Sequence, residues 1–379
     1  MTPQRLAASI RDADAHTASL DEFFGAVSLT LRKAVPFDGA VWFGVDPATL
    51  LAAASGRVEN LDPSLCWPFW RAEFHENDVV QFRDLARQAD PVGSLRLATG
   101  DRPMRSYRYR EIMRPMSYDD EARIAFRTGG TTWGVAAIFR ERGHASFEPG
   151  ELRLLTAASR TVGVALRARN VLESPVARAI ESLRAPGVLL FDVNGLLFSA
   201  NMHAKMWLRQ IYGPAFGDEP WLLLSANPPH GTEAQRAEAM ALVHSLISQA
   251  RAVARGFQDG PARMRCRDRA GRWVVMHASH MDETDPASPI AVVVEAAQSA
   301  EVAPIVVEAY GLTAREREVL RGIASGLSTA DIAAELFLSA HTVRDYIKSI
   351  FDKTGVGSRA ELTAKVLAEH YQETFSGER

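Results

Sequence analysis

Cysteine is almost missing from this chain. Its two residues, Cys66 and Cys266, stand far apart, with no CxxC and no Cys/His pairing around them. That excludes the usual ligand spacing of a structural zinc site and argues against a disulfide-stapled secreted fold, so a reducing cytoplasm is expected. Long apolar runs are missing too. None approaches the ~18 residues that span a bilayer, and the opening MTPQRLAASIRDADAH has no apolar core of a secretory leader. A membrane partner is therefore not expected. Neither sign of charge dominates: 43 Lys and Arg against 46 Asp and Glu leave a net −3, which neither demands nor excludes nucleic acid. Catalytic signatures are absent as well. No GxSxG, HExxH, P-loop or GxGxxG occurs in the context its chemistry needs, and His75, His144, His203 and His244 fall at no metal-ligand spacing. No enzyme activity, metal or cofactor is expected.

What is present is a succession of helix and strand signals. Residues 17–35 carry Leu20, Phe23, Phe24, Val27, Leu31 and Val35 at spacings of 3 and 4, which predicts an amphipathic helix. The turn and apolar run at 36–46 predict a buried strand. The aromatic-rich 64–78 predicts a short helix broken near Pro68. Strands at 122–128 and 133–140 flank a Gly-Gly hairpin signal, and a long helix follows over 149–172. Ser174–Pro175 then predicts a fresh helix start. After it come a hairpin around Asn194–Gly195, helices at 201–211 and 232–255, and strands at 261–267, 272–281 and 289–296. The fold class is multidomain: two α+β domains, at 1–173 and 174–298, a linker at 299–310, and an all-α four-helix domain at 311–379.

Regular Ser, Thr and Gly punctuate that last domain. Thr313 with Glu316, Ser328 with Asp331 and Ser358 with Glu361 are three capping-box signals, and Ser339 caps without an acidic partner. Gly326 and Gly355 sit where helix ends need positive φ. Four helices result, at about 314–325, 329–336, 340–354 and 359–372. Only "FLS" links the second to the third, which forces a tight helix-turn-helix. In the third helix Val343, Ile347, Ile350 and Phe351 form an apolar stripe that must face Ile323, Ile332, Ala333 and Leu336. His341, Arg344, Asp345, Lys348 and Asp352 take the other face. A solvated charged face is the plain reading; a DNA recognition helix is the sharper one. Residues 310–379 hold nine Lys/Arg and ten Asp/Glu, so attraction to phosphate must come from local placement of Arg344, Lys348, Lys353 and Arg359, and from dimerisation.

The stretch LTAREREVLRGIASGLSTADIAAELFLSAHTVRDYIKSIFDKTGVGSRAEL (Leu312–Leu362) resembles the LuxR-type helix-turn-helix of bacterial transcription regulators. The resemblance implies a third helix in the major groove, a fourth helix for dimer contacts and phosphate contacts from residues flanking the turn. The candidate DNA-contacting set is Ser328, Thr329, Ser339, His341, Thr342, Arg344, Asp345, Lys348, Lys353 and Arg359. Tyr346 departs from the His common in that family and Thr354 from its usual Leu. Asp345 can accept from cytosine N4 but repels phosphate, which leaves the preferred sequence open.

Trp133–Arg169 is similar to the end of a GAF domain, and PGVLLFDVNGLLFSANMHAKMWL to the start of a PAS domain, with RMRCRDRAGRWVVMHASHM as its later strands. These likenesses imply GAF-like and PAS-like sensor folds and a small-molecule effector. Trp42, Phe43, Trp67, Phe69, Trp70, Phe74, Tyr107 and Tyr109 are candidates to line a ligand cup; ordinary core packing explains the same composition. The expected function is a homodimeric regulator binding double-stranded DNA at an inverted-repeat operator, in company with RNA polymerase. The alternatives are a constitutive DNA-binding dimer on scaffold domains, or a sigma-factor-like polymerase accessory.

Overall fold

The structure, a computed structural model, describes residues 2–53, 56–172, 185–282, 285, 287–297, 301, 305 and 308–368. It divides into two compact units, Met1–Leu166 with Ala177–Ala296, and Arg167–Val176 with Ala297–Arg379. The Ser174–Pro175 helix start and most of the expected linker lie outside the described residues.

The first unit begins with two helices, α1 (Pro3–Ala15) and α2 (Leu20–Arg32). The sequence pattern missed α1 because it has only two apolar anchors one turn apart, Leu6 and Ile10, both fully buried. Helix α2 starts later than the periodicity suggested. Ser19 and Glu22 close a capping box there, which satisfies two otherwise free N–H groups and fixes the boundary. A five-stranded antiparallel sheet follows, in the order β2-β1-β5-β4-β3. Its strands are β1 (Gly39–Gly44), β2 (Arg57–Glu59), β3 (Val92–Ser94), β4 (Tyr118–Thr128) and β5 (Thr131–Glu141). Gly129 and Gly130 join β4 to β5 with φ of +64° and +87°. Two successive positive φ values make a tight turn whose twist matches that of the flanking strands. Between β2 and β4 lie α3 (Cys66–His75), α4 (Phe82–Leu85) and α5 (Leu95–Thr99). Pro68 does not break α3, contrary to expectation. It falls in the first turn, where its missing N–H has no intrahelical partner to lose. Helix α6 (Pro149–Leu172) comes after β5.

The second sheet has the order β7-β6-β10-β9-β8, from β6 (Gly187–Phe191), β7 (Leu197–Ala200), β8 (Arg263–Arg267), β9 (Trp273–His280) and β10 (Ile290–Ala296). Counted within each half, this is the order of the first sheet repeated. The β6–β7 connection is held by Asp192, whose Oδ1 accepts from the backbone N–H of Asn194 and Leu196 at 2.8 Å each. Helix α7 (Met202–Tyr212) starts at Asn201, whose Oδ1 accepts from Ala204 N.

Helix α8 (Glu233–Ala254) is buried on every face from Ala239 to Ala252. It packs against β9 on one side and α3 of the other half on another, which is why its apolar residues show no single stripe. Across the α3–α8 seam His75 Nε2 lies 2.9 Å from Ser248 O, and the Trp67 ring meets His244 edge-on at 5.3 Å. A second weld joins the halves: Asp46, beyond β1, pairs with Arg265 of β8, both almost fully buried. The two sheets thus share one continuous apolar core.

The second unit contains α9 (Ala314–Ala324), α10 (Thr329–Glu335), α11 (Ala340–Thr354) and α12 (Arg359–Ala368). No helix of the described residues is long and apolar enough to cross a membrane.

Candidate nucleic-acid interface

Short polar side chains set the helix boundaries of the second unit. Thr313 Oγ1 accepts from Glu316 N at 3.3 Å while Glu316 Oε2 accepts from Thr313 N at 2.6 Å. Ser328 and Asp331 repeat the exchange at 3.2 and 3.1 Å. Ser339 Oγ accepts from Thr342 N at 3.0 Å and starts α11 without an acidic partner. At α12 the box differs from the simple form: Glu361 N donates to Ser358 Oγ, but the Glu361 carboxylate accepts from Gly357 N. Each such cap is worth about 1 kcal/mol. Gly355, at φ +67°, ends α11 in the left-handed conformation that its lack of a Cβ permits.

Val343 and Ile350 of α11 are fully buried and Ile347 nearly so, against Ile323 of α9 and Ile332 and Ala333 of α10. Phe351 and Leu336, expected in the same contact, are only half-buried. This packing turns the opposite face of α11 outward. His341, Arg344, Asp345, Lys348 and Asp352 are all exposed. His341 Nδ1 lies 3.1 Å from Asp345 Oδ2, an ion pair only when the imidazole is protonated. Neither Arg344 nor Lys348 has a side-chain partner among the described residues, so one guanidinium and one ammonium group, one turn apart, face outward on the helix that follows the bend.

Lys353 and Arg359 are placed differently. Lys353 Nζ donates to both carboxylate oxygens of Glu316, at 2.8 and 2.6 Å, and Ser349 Oγ donates to the same group. Arg359 donates to Leu327 O at 3.0 Å and Thr329 Oγ1 at 2.9 Å. Both cations therefore hold α11 and α12 in place, a duty that the sequence pattern did not reveal. Ser328, Thr329, Ser339 and Thr342 gather at the starts of α10 and α11, the ends at which the helix dipole is positive.

Glu316 is almost fully buried. Burial alone would raise its pKa, but the hydrogen bonds from Lys353, Ser349 and Thr313 outweigh that and bring it down to about 2. A depressed carboxyl pKa contributes stability that is complete above the unfolded value, near 4.5, and is lost as pH falls towards the folded one. Protection of the α9 and α11 amides against hydrogen exchange is accordingly expected to fall between pH 4.5 and about 2. Glu316→Gln should lower protection at pH 7 and flatten that part of the profile. An unaltered profile in the variant would show that the pairing contributes nothing.

The aromatic residues of the first unit do not form one cup. Trp42 points to the α2 face and stacks on Phe126 at 6.0 Å, beside Phe24. Phe43, its neighbour on the strand, points to the α3 face and meets Trp70 at 5.3 Å. Phe74 stacks on Trp70, Trp67 belongs to the α3–α8 seam, the Tyr109 hydroxyl donates to Asp119 at 3.0 Å, and Tyr107 is half-buried. A cavity of about 40 Å³ does exist. Phe43, Phe69 and Trp70 line it with Cys66 and Tyr118, and Ala237 and Ala241 of α8 close its far wall. Trp42, Trp67, Phe74, Tyr107 and Tyr109 are not among its lining residues.

Residues 311–366 match the family described as "Bacterial regulatory proteins, luxR family". The "Probable transcriptional regulatory protein NarL" of Mycobacterium tuberculosis (strain CDC 1551 / Oshkosh) is 40% identical over 72 residues, which are 19% of this chain and 31% of that protein. The "Transcriptional regulatory protein DesR" of Bacillus subtilis (strain 168) is 48% identical over 54 residues, 14% of this chain and 27% of that one. The chain thus spans less than a third of the length of these curated relatives. A solved structure described as "Crystal structure of the phage VqmA-DPO complex" aligns over 49% of this chain and 83% of that one, at 19% identity and a TM-score of 0.26. That likeness is too weak to carry fold or function. The C-terminal helices are a LuxR-type helix-turn-helix domain.

Proposed function

We propose that this chain is a DNA-binding transcriptional regulator that acts in the cytoplasm as a homodimer, with α11 as its recognition helix. One observation carries the reading: Arg344 and Lys348 stand exposed, with no side-chain partner among the described residues, on the outer face of the helix that follows the tight turn. In helix-turn-helix docking that face meets base edges while the preceding helix crosses the backbone. Ser328, Thr329, Ser339 and Thr342 then contact phosphate from the two helix starts, and His341 and Asp345 lie within reach of the groove. Lys353 and Arg359 add positive potential while bracing the helices. With positive and negative side chains so nearly equal over residues 310–379, one domain gathers few phosphate contacts, so tight binding calls for two copies on an inverted repeat. RNA polymerase is the partner such a regulator serves.

The two N-terminal sheets are read as GAF-like and PAS-like sensor folds, and their shared strand order supports a common architecture. An effector would enter the cavity between α3 and α8. At about 40 Å³ this holds only a few waters, so a ligand must part the two helices to bind. Moving operator occupancy tenfold requires about 1.4 kcal/mol of differential affinity between the two arrangements. A constitutive dimer on scaffold domains is the competing reading, and a co-purified small molecule in native mass spectrometry would favour the effector.

The reading is tested by selecting duplexes from a random-sequence library with the full-length chain and no polymerase, then footprinting the product. Two protected half-sites related by inversion and a dimer in sedimentation are expected. A single half-site with monomer at micromolar concentration contradicts the dimer, and no enrichment contradicts DNA binding.

A further inference from the structure

The bend between α10 and α11 holds a residue that suits it badly. Phe337 has φ +56°, in the left-handed region that glycine enters freely and a bulky side chain does not. Turns of this motif often contain glycine for that reason. The residue is also 95% exposed. Both backbone and ring are thus unfavourable in the free protein. The bend does not depend on that ring for its shape. Leu338 N donates to Ala333 O at 2.9 Å and Phe337 N to Ala334 O at 3.4 Å, and Ser339 caps the next helix whatever stands at 337.

We propose that Phe337 is a DNA-contacting residue whose ring lies on the apolar deoxyribose face of the backbone bordering the major groove. The proposal rests on α11 being the recognition helix. The bend lies two residues before the Ser339 cap, at the end of α11 that leads into the groove in this docking geometry. Thr342, Arg344 and Lys348 follow within the next three turns of the same helix. A protein-docking patch gathers several apolar residues, whereas among the described residues of this unit Phe337 is the sole exposed large hydrophobic. One ring amid hydroxyls and cations matches a sugar between two phosphates. It orients the helix without reading a base, as backbone contacts do.

The test uses the full-length chain, the duplex that wild type enriches from a random library, and the variants Phe337→Gly, Phe337→Asn and Phe337→Tyr. Gly and Asn accept a left-handed φ, so the unfolding temperature should hold or rise. Their affinity should nevertheless fall about tenfold, the scale of one lost apolar ring contact, by a similar factor on all sequences. The slope of affinity against salt should not change, because no charge is removed. Phe337→Tyr should stay within about twofold of wild type, since its ring lies on the sugar in the same way. Wild-type affinity in Phe337→Gly and Phe337→Asn overturns the proposal. If those variants keep operator binding but lose polymerase-dependent transcription, the ring belongs to a protein contact and the proposal is equally overturned. A wild-type chain that enriches no duplex sinks the DNA-binding reading itself, and Phe337's role with it.

Discussion

Arg344→Ala is expected to weaken operator binding by about 1–3 kcal/mol, and to relax preference at the base pair that the guanidinium reads. Arg344 is exposed and makes no internal hydrogen bond or ion pair among the described residues, so truncation should leave the fold unchanged. The whole effect should appear in binding. Lys348, one turn further along, offers a compact charge rather than a planar fork. Its removal should weaken binding more evenly across sequences and reduce the salt slope by about one if it contacts a phosphate. Titration of both variants against the selected duplex and against single-base-pair variants of it separates the two roles. Unchanged affinity in both would remove α11 from the interface.

The largest loss of stability is expected from Asp46→Asn. The Asp46 carboxylate accepts from Arg265 N at 2.9 Å, Nε at 2.8 Å and Nη2 at 2.7 Å, and from Ala48 N at 2.9 Å. Neither side chain reaches water to any extent. Neutralising the carboxylate removes the charge of one partner from a buried, multiply hydrogen-bonded ion pair, a change that costs about 3–5 kcal/mol. For a unit of this size each kcal/mol lowers the melting temperature by roughly 2–4 °C, so calorimetry should register a large downward shift of the first unit's transition. An apolar pair, Asp46→Leu with Arg265→Met, should recover much of the loss, because a buried ion pair and well-packed apolar residues often contribute equally. A shift below about 1 kcal/mol in Asp46→Asn would mean that the pair is far better solvated than its burial implies.

Much of this architecture is legible in the residues, and the exceptions have physical causes. Helix starts at Thr313, Ser328 and Ser339 are local chemistry, each settled within four residues, and so are the turns at Gly129–Gly130 and Asn194–Gly195. Helix α1 escaped because two apolar residues make no detectable period. The weld between the halves escaped because Asp46 and Arg265 meet only through tertiary folding. The same holds for Glu316 and Lys353, which made a structural lysine look like a free one. The aromatic cluster had two readings, a ligand cup and ordinary core packing, and strand geometry bears on the choice. Trp42 and Phe43 are adjacent on a strand, and adjacent strand residues point to opposite faces. That alternation was available in the sequence and already forbade a cup containing both. Phe337 gave no warning, since only a backbone angle and an exposure set it apart.

Readout of base sequence by α11 shows in the ratio of affinities for the selected duplex and a shuffled duplex of equal length. With the full-length chain at fixed physiological salt, that ratio should be about 10³ or more and fall markedly in Arg344→Ala. Equal affinity for the two duplexes, at any salt concentration where binding is seen, would contradict it.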